Sequence, residues 1–258
     1  MKRLVPVFFA FSSVFAHSDE VGDSDPSSIE SRKEYIEKLT HDAPSEEALA
    51  RKQKSIAFLK GKGVPTIEHL PVVADSKSMK PRTTKEIAER LVACTLAAVG
   101  GETGDAKLMA QLVTEYKAED LLSPDEADFI KNGLGDQQQR TQFSWRYERA
   151  WVLLWALGLI DDLEYPTNIC DVSKIVGIIR DNSLDSLIEK AKPRSKTELL
   201  DAKDLIYRLH WATTEERVNK TFELPAELER GVVWERHAAL NWLIGYMGQS
   251  WDEITTDT

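Results

Sequence analysis

The sequence predicts an all-α protein, with a single compact multi-helix domain that follows an N-terminal signal segment. Apolar residues recur at helical spacing through most of the chain, capping residues precede many of these stretches, and no stretch alternates strictly enough to predict a strand. With 42% hydrophobic and 29% charged side chains over 258 residues, the chain is long enough to bury a sizeable core. No repeat of fixed period is present, so a solenoid is not expected.

The first residues match the pattern of a secretory signal peptide. Basic residues at positions 2 and 3 precede an uncharged run over 4–16, and polar residues begin at His17. We predict a signal peptide over 1–16, a flexible acidic spacer over 17–29 and the folded domain over 30–258. The protein is therefore expected to be periplasmic or secreted. Two alternatives stay open: a hydrophobic N-terminal helix that docks on the domain, and a cytoplasmic location.

In the first half of the domain, cap and stop signals delimit the predicted helices. Ser45 before two glutamates, Thr83 with Glu86 in a capping box, and Ser123 before a proline each mark a helix start. A short charged stretch and an amphipathic stretch supply two further helices, and paired glycines at 100 and 101 end another. The predicted helices cover 30–39, 46–61, 84–100, 105–118 and 124–132, with an irregular segment rich in proline between 61 and 81.

In the second half, apolar periodicity defines the predicted helices, and all seven tryptophans lie there. The pattern predicts one long helix over 137–160, and its uncharged part, 151–160, is too short to span a membrane. Shorter helices are expected over 171–181 and 184–191, followed by longer ones over 198–218 and 232–247. The last of these is apolar around most of the helical wheel, which indicates a buried helix.

Charge and cysteine content exclude several classes of protein. The chain has 33 basic and 43 acidic residues, a net charge of −10, which argues against a nucleic-acid partner. Two cysteines are too few for a disulfide framework. A disulfide between Cys94 and Cys170 is possible in an oxidising compartment, but nothing in their spacing requires it. Cys94 lies in an apolar stretch, and no histidine near Cys170 in the sequence suggests a catalytic thiol.

Charged side chains embedded in the apolar helices are the candidate site residues. One interpretation joins them into a polar site that could hold a metal or perform acid–base chemistry, walled by tryptophans. The other, which the absence of a metal-binding spacing such as HExxH favours, is a buried Arg–Glu network that fixes helix packing, with Asp204 pairing with Arg208 four residues on. The candidate residues are Glu148, Arg208, His210, Glu235, Arg236 and His237.

These segments also carry a family resemblance. They read GVP at 63–65, LP at 70–71, SWRYE at 144–148, LWALG at 154–158, YP at 165–166, CD at 170–171, YRLHWA at 207–212, VWERHAALNWL at 233–243, WD at 251–252 and TDT at 256–258. From about residue 51 to 258 the chain resembles the uncharacterised bacterial family called domain of unknown function 4272. The resemblance implies a helical domain of unknown activity, with no site residues to carry over. Similar members usually lack a secretory leader, so 1–16 is a departure from the pattern.

The sequence leaves two functional hypotheses. The first is an exported small-ligand-binding or protein-interaction module that needs no metal and no cofactor. Its partner would be a protein or small molecule of unknown identity, with no nucleic acid and no transmembrane span. The alternative is a metal-assisted or acid–base hydrolase that uses Glu148, His210, Glu235 and His237.

Overall fold

Side-chain caps set most of the helix starts, as the sequence predicts. Thr83, Ser123 and Ser195 each accept a hydrogen bond from the backbone amide three residues on. The glutamate at that position accepts one from the amide of the capping residue, which completes a capping box. The computed structural model describes residue 30 and residues 43–220, 223–224 and 228–258. Its helices are α1 (Glu46–Gly61), α2 (Thr84–Thr103), α3 (Ala106–Glu115), α4 (Pro124–Lys131), α5 (Gln137–Ser144), α6 (Arg146–Ala156), α7 (Val172–Arg180), α8 (Leu184–Lys190), α9 (Lys196–Asn219) and α10 (Arg230–Leu243), followed by a 3₁₀ turn, Tyr246–Gly248.

The predicted fold class is confirmed. The described residues contain helices and no strand, and residues 43–258 form one compact unit. Among the helices described, none combines the length and apolar character that a membrane crossing requires. The predicted signal peptide over 1–16 and spacer over 17–29 lie outside the described residues, as does the predicted helix over 30–39 beyond its first residue.

The prediction of one helix over 137–160 is wrong, because tertiary contacts divide and shorten it. Helices α5 and α6 meet at Trp145, where the turn tightens and the Glu148 amide donates to the Trp145 carbonyl at 3.0 Å. Helix α2 crosses this region so closely that a Cβ atom at Gly101 would lie 2.5 Å from the Arg140 carbonyl oxygen. Helix α6 then ends in a Schellman motif around Gly158, whose φ of 67° is left-handed.

The last helix is also shorter than predicted. Helix α10 ends at Leu243 rather than at 247, because residues before α2 bind its carboxyl end. The Arg82 amide donates to the Leu243 carbonyl at 3.0 Å, and the Arg82 guanidinium donates to the carbonyls of Trp242 and Gln249. The irregular segment between α1 and α2 therefore supplies the partners that end this helix.

Helix α2 lies at the centre of the core, with most of its side chains buried, and it packs against α5 and α6. Helix α10 packs against α6 and α9, and α9 packs against α1. Since the six candidate residues lie on α6, α9 and α10, this order of packing decides which of them can meet.

Both cysteines are buried free thiols rather than a disulfide. The Cys94 Sγ lies 3.3 Å from the Arg146 carbonyl oxygen, and burial raises the pKa of Cys94 to about 12. Burial also raises the pKa of Cys170. Because the thiolate is the reactive form, neither side chain is poised as a nucleophile.

Candidate functional site

The six candidate residues are all buried, but they form separate groups rather than one site. The helix order brings Glu148 together with Arg236, and His210 together with His237. The remaining two, Glu235 and Arg208, pair with residues outside the predicted set.

The first group ties α10 to α6 and to the chain that follows α6. The Arg236 Nε donates to the Glu148 Oε2 at 3.0 Å, and the Arg236 Nη1 donates to the carbonyls of Leu163 and Glu164 at 2.5 and 3.0 Å. The other carboxylate oxygen of Glu148 accepts the Cys170 amide at 2.5 Å. This buried pair therefore has a matched charge and several hydrogen bonds, the arrangement that a packing role requires.

The second group is an ion pair between Arg149 and Glu235, again between α6 and α10. The Arg149 guanidinium lies 5.5 Å from the Trp234 ring centre and 5.4 Å from that of Trp251. Burial lowers the pKa of Arg149. Trp234, which the sequence suggested as a pocket wall, thus contacts a cation of the protein itself, and so does Trp251.

The third group lies within α9. The Arg208 Nε and Nη2 donate to the two carboxylate oxygens of Asp204 at 2.9 and 2.8 Å, which confirms the predicted pairing four residues apart. The Nη2 atom also lies 3.3 Å from the Pro71 carbonyl oxygen and so links α9 to the segment before α2.

The fourth group is a row of three basic side chains that the sequence analysis did not identify as a unit. The His210 Nδ1 lies 2.8 Å from the His237 Nδ1, and the His237 Nε2 is hydrogen-bonded to the Lys203 Nζ. We refer to Lys203, His237 and His210 as the basic row. The spacing of Lys203 and His210, seven residues apart, places them on one face of α9 and is the sequence signal that could have found it.

Burial lowers the proton affinity of every member of the basic row. Desolvation lowers the pKa of Lys203 from 10.5 to about 7, and the charges of Asp204 and Asp257 only partly oppose it. Burial, followed by the charge of Lys203, lowers the pKa of His210 to about 4 and that of His237 well below 6.5. At neutral pH both histidines are therefore uncharged, and the lysine amine titrates.

The hydrogen bonds of the basic row link its three protonation sites in series. A charged Lys203 must donate to the His237 Nε2, so that His237 in turn donates from Nδ1 to the His210 Nδ1. A neutral Lys203 can instead accept a hydrogen bond from the His237 Nε2. His237 then accepts at Nδ1 from the His210 Nδ1, so each ring carries its proton on its other nitrogen. The row can therefore carry a proton between the amine and His210.

The predicted acid–base cluster with two histidines and two carboxylates is not assembled. Glu148 and Glu235 pair with arginines, while the two histidines bind each other. Within the described ranges, no three His, Cys, Asp or Glu side chains are placed to hold a metal ion.

A shallow depression of about 370 Å³ lies elsewhere on the surface, next to the segment between α6 and α7. Its lining combines carboxylates with apolar side chains and includes Trp151, Ile169 and Lys174. The Lys174 Nζ already lies 5.7 Å from the centre of the Trp151 ring. No member of the basic row lines this depression, so it does not open onto that group.

Fold and side-chain groups together define the class: an all-α domain whose central helices are joined by buried ion pairs and which encloses a row of basic side chains. The chain belongs to the family described as domain of unknown function (DUF4272), whose sequence model matches residues 51–254. This confirms the predicted resemblance. No curated protein and no solved structure matches the chain.

Proposed function

We propose that this domain is a small-ligand-binding module whose ligand carries an anionic group bound at the basic row. The observation that carries the proposal is a buried lysine for which the described residues supply no ion-pair partner. The Lys203 side chain is 4% exposed, and no carboxylate of the described residues lies within ion-pair distance of its Nζ. A buried charge is normally paired, so an anion from outside the chain would complete this group.

The C-terminal residues adjoin the basic row, and we propose that the ligand enters past them. The Tyr246 ring centre lies 5.8 Å from the Lys203 Nζ, and the Tyr246 hydroxyl lies 3.4 Å from a carboxylate oxygen of Asp257. Side-chain hydrogen bonds hold this segment, among them the Asn241 Nδ2 to the Thr255 carbonyl at 2.7 Å. We propose that the ligand displaces part of this segment and takes the place of the Asp257 charge.

A thermal-shift series tests the proposal. Benzoate, acetate and phosphate are added to the full chain at pH 6.5 and at pH 9, with benzamide as the uncharged match for benzoate. We expect an anion to raise the melting temperature more at pH 6.5, where Lys203 is charged, than at pH 9. The shift should be absent with benzamide and in Lys203→Met, while Lys54→Met, which alters an exposed lysine, should keep it. Equal shifts with benzoate in wild type and Lys203→Met would refute the site.

The hydrolase alternative has weaker support. Its two carboxylates, Glu148 and Glu235, are each occupied by an arginine, and the two histidines have no carboxylate partner among the described residues. A protein-interaction role is supported only by the exposed apolar side chains Leu49, Phe58, Ile169 and Val218. Neither alternative has an observation as specific as the buried Lys203, which has no ion-pair partner among the described residues.

We also propose that the chain is exported, on the strength of the uncharged run over 4–16 behind two basic residues. The test is the mass of the protein recovered from its native host. A mature N-terminus at His17 supports export, and an intact N-terminus on the recovered protein refutes it.

A further inference from the structure

The Lys203 amine has the surroundings of a nucleophile rather than of a structural cation. We infer that Lys203 forms a reversible imine with the carbonyl group of a small ligand, namely a 2-oxo acid or an aldehyde that also carries a carboxylate. This inference deepens the proposed function and rests on it, because the carboxylate of such a ligand would be the anion bound at the basic row.

A comparison with Lys52 shows what is unusual about Lys203. Both side chains are buried, with exposed fractions of 9% and 4%. The Lys52 Nζ donates to the carbonyl oxygens of Glu68 and Leu70, which cannot take up its proton. The Lys203 Nζ instead contacts the His237 Nε2, an atom that can receive its proton. Lys203 therefore has a base in direct contact with its amine, whereas the two hydrogen-bond partners of Lys52 are carbonyl oxygens.

Two aromatic rings and a desolvated interior surround the Lys203 amine. The Tyr207 ring centre lies 4.6 Å from the Nζ, and that of Tyr246 lies 5.8 Å away. Desolvation lowers the pKa of Lys203 to about 7, so a large share of the amine is uncharged at neutral pH. The titratable or charged groups that face it are Asp204, Tyr207, Arg208 and His210 of α9, His237 of α10, and Tyr246 and Asp257 of the C-terminal segment.

The step balances without an oxidant or a reductant. The Lys203 nitrogen attacks the carbonyl carbon, a C–N bond forms, and the carbonyl π electrons move to oxygen. The His237 Nε2 accepts one proton from nitrogen and returns it to that oxygen, which gives the carbinolamine. A second proton, supplied through His210 and His237, lets the hydroxyl leave as water and leaves a protonated imine. Addition of water reverses every step.

Reductive trapping tests this inference on the full chain. Pyruvate or 4-carboxybenzaldehyde is added at pH 7 with sodium cyanoborohydride, and adducts are counted by intact mass and located by peptide mapping. We expect one rapid lysine adduct per chain, located at Lys203 and formed about tenfold faster than at any other lysine, because exposed lysines are almost fully protonated at this pH. Trapping at Lys203 should be half-maximal near pH 7, whereas exposed lysines such as Lys54 should require a pH near 10.

The controls separate a chemical role from a structural one. Lys52→Met should keep the rapid adduct and Lys203→Met should lose it, with folding of each variant checked by circular dichroism. If Lys203→Met does not fold, the position and the pH dependence of the adduct on the wild-type protein are enough to test imine formation at Lys203. Adducts spread over exposed lysines, or none at Lys203, overturn the inference. If benzoate still raises the melting temperature in that case, the proposed anion-binding function is retained. If benzoate gives no shift either, the proposed function and the imine inference are both refuted.

Discussion

Replacement of Lys203 by methionine should change how the stability of the protein depends on pH. In the unfolded chain the lysine has its ordinary pKa of 10.5, whereas burial lowers the folded-state pKa of Lys203 to about 7. Between these values the unfolded state binds more protons, so stability rises with pH. The cost of burying the charge is fully present below pH 7 and disappears above 10.5. At ~1.4 kcal/mol per pH unit, this interval amounts to about 5 kcal/mol.

The assay is urea unfolding of wild type and Lys203→Met at several pH values between 7.5 and 9.5. Other titrating groups are common to both proteins, so the difference between the two curves isolates Lys203. Over these two pH units we expect the wild type to gain about 2–3 kcal/mol more than the variant. Methionine fills a similar volume without a charge, so the variant should fold.

Lys54→Met is the matched control for this experiment. The Lys54 side chain is 72% exposed and its Nζ lies 2.6 Å from an Asp201 carboxylate oxygen, so its loss should leave the slope of the wild type unchanged. Parallel curves for wild type and Lys203→Met would show that folding does not alter the proton affinity of this lysine. In that case the basic row could not be buried and without a counter-ion, and the proposed function would lose its main support.

Three further predictions concern the other buried groups. Because burial lowers the pKa of His210 to about 4, stability should fall as the pH drops from 6.5 towards 4, and His210→Gln should remove about 3 kcal/mol of that loss in urea unfolding. Arg236→Leu should lower the free energy of unfolding by about 3–5 kcal/mol, since it leaves Glu148 buried without its partner, and a second change, Glu148→Leu, should recover much of this loss. An unchanged denaturation midpoint in the single variant would contradict the buried pair. In thermal melts, Gly101→Ala should destabilise by about 1–3 kcal/mol because its Cβ would meet the backbone of α5. Gly177→Ala, where a Cβ meets nothing within 4 Å, should stabilise by about 0.5–1 kcal/mol, and equal melting temperatures for these two alanine variants would refute the close crossing.

The sequence predicted helix ends well where the stabilising interaction joins residues that are close in the chain. A cap such as Ser45 or Thr83 acts within three residues, so its position in the sequence fixes where the helix begins. The break at Trp145 could not be predicted in this way, since it accompanies the close approach of α2 at Gly101, more than 40 residues earlier in the chain. The end of α10 depends in the same way on Arg82.

The sequence predicted that the six candidate residues are buried, but it predicted neither most of their partners nor Lys203, the third member of the basic row. Periodicity placed Glu148, Arg236 and His237 inside the protein, because it reports which side chains face the core. It does not report which helix lies opposite, so the Arg149–Glu235 pair was missed. Within a single helix the pairing is fixed by geometry, which is why Asp204 and Arg208 were matched correctly.

The buried charges of this fold divide into two kinds with opposite consequences for stability. In the pairs Glu148–Arg236 and Arg149–Glu235 each base has an acid, so removal of one partner leaves an uncompensated charge and should destabilise the protein. In the basic row no acid of the described residues pairs with Lys203, so removal of that amine below pH 7 takes away a cost of folding. A role in helix packing therefore explains the buried Arg–Glu pairs, but it does not explain why Lys203 is buried. The contrast in sign between Arg236→Leu and Lys203→Met, measured at pH 6.5, is the most direct way to separate a residue that holds this fold together from one that serves a ligand.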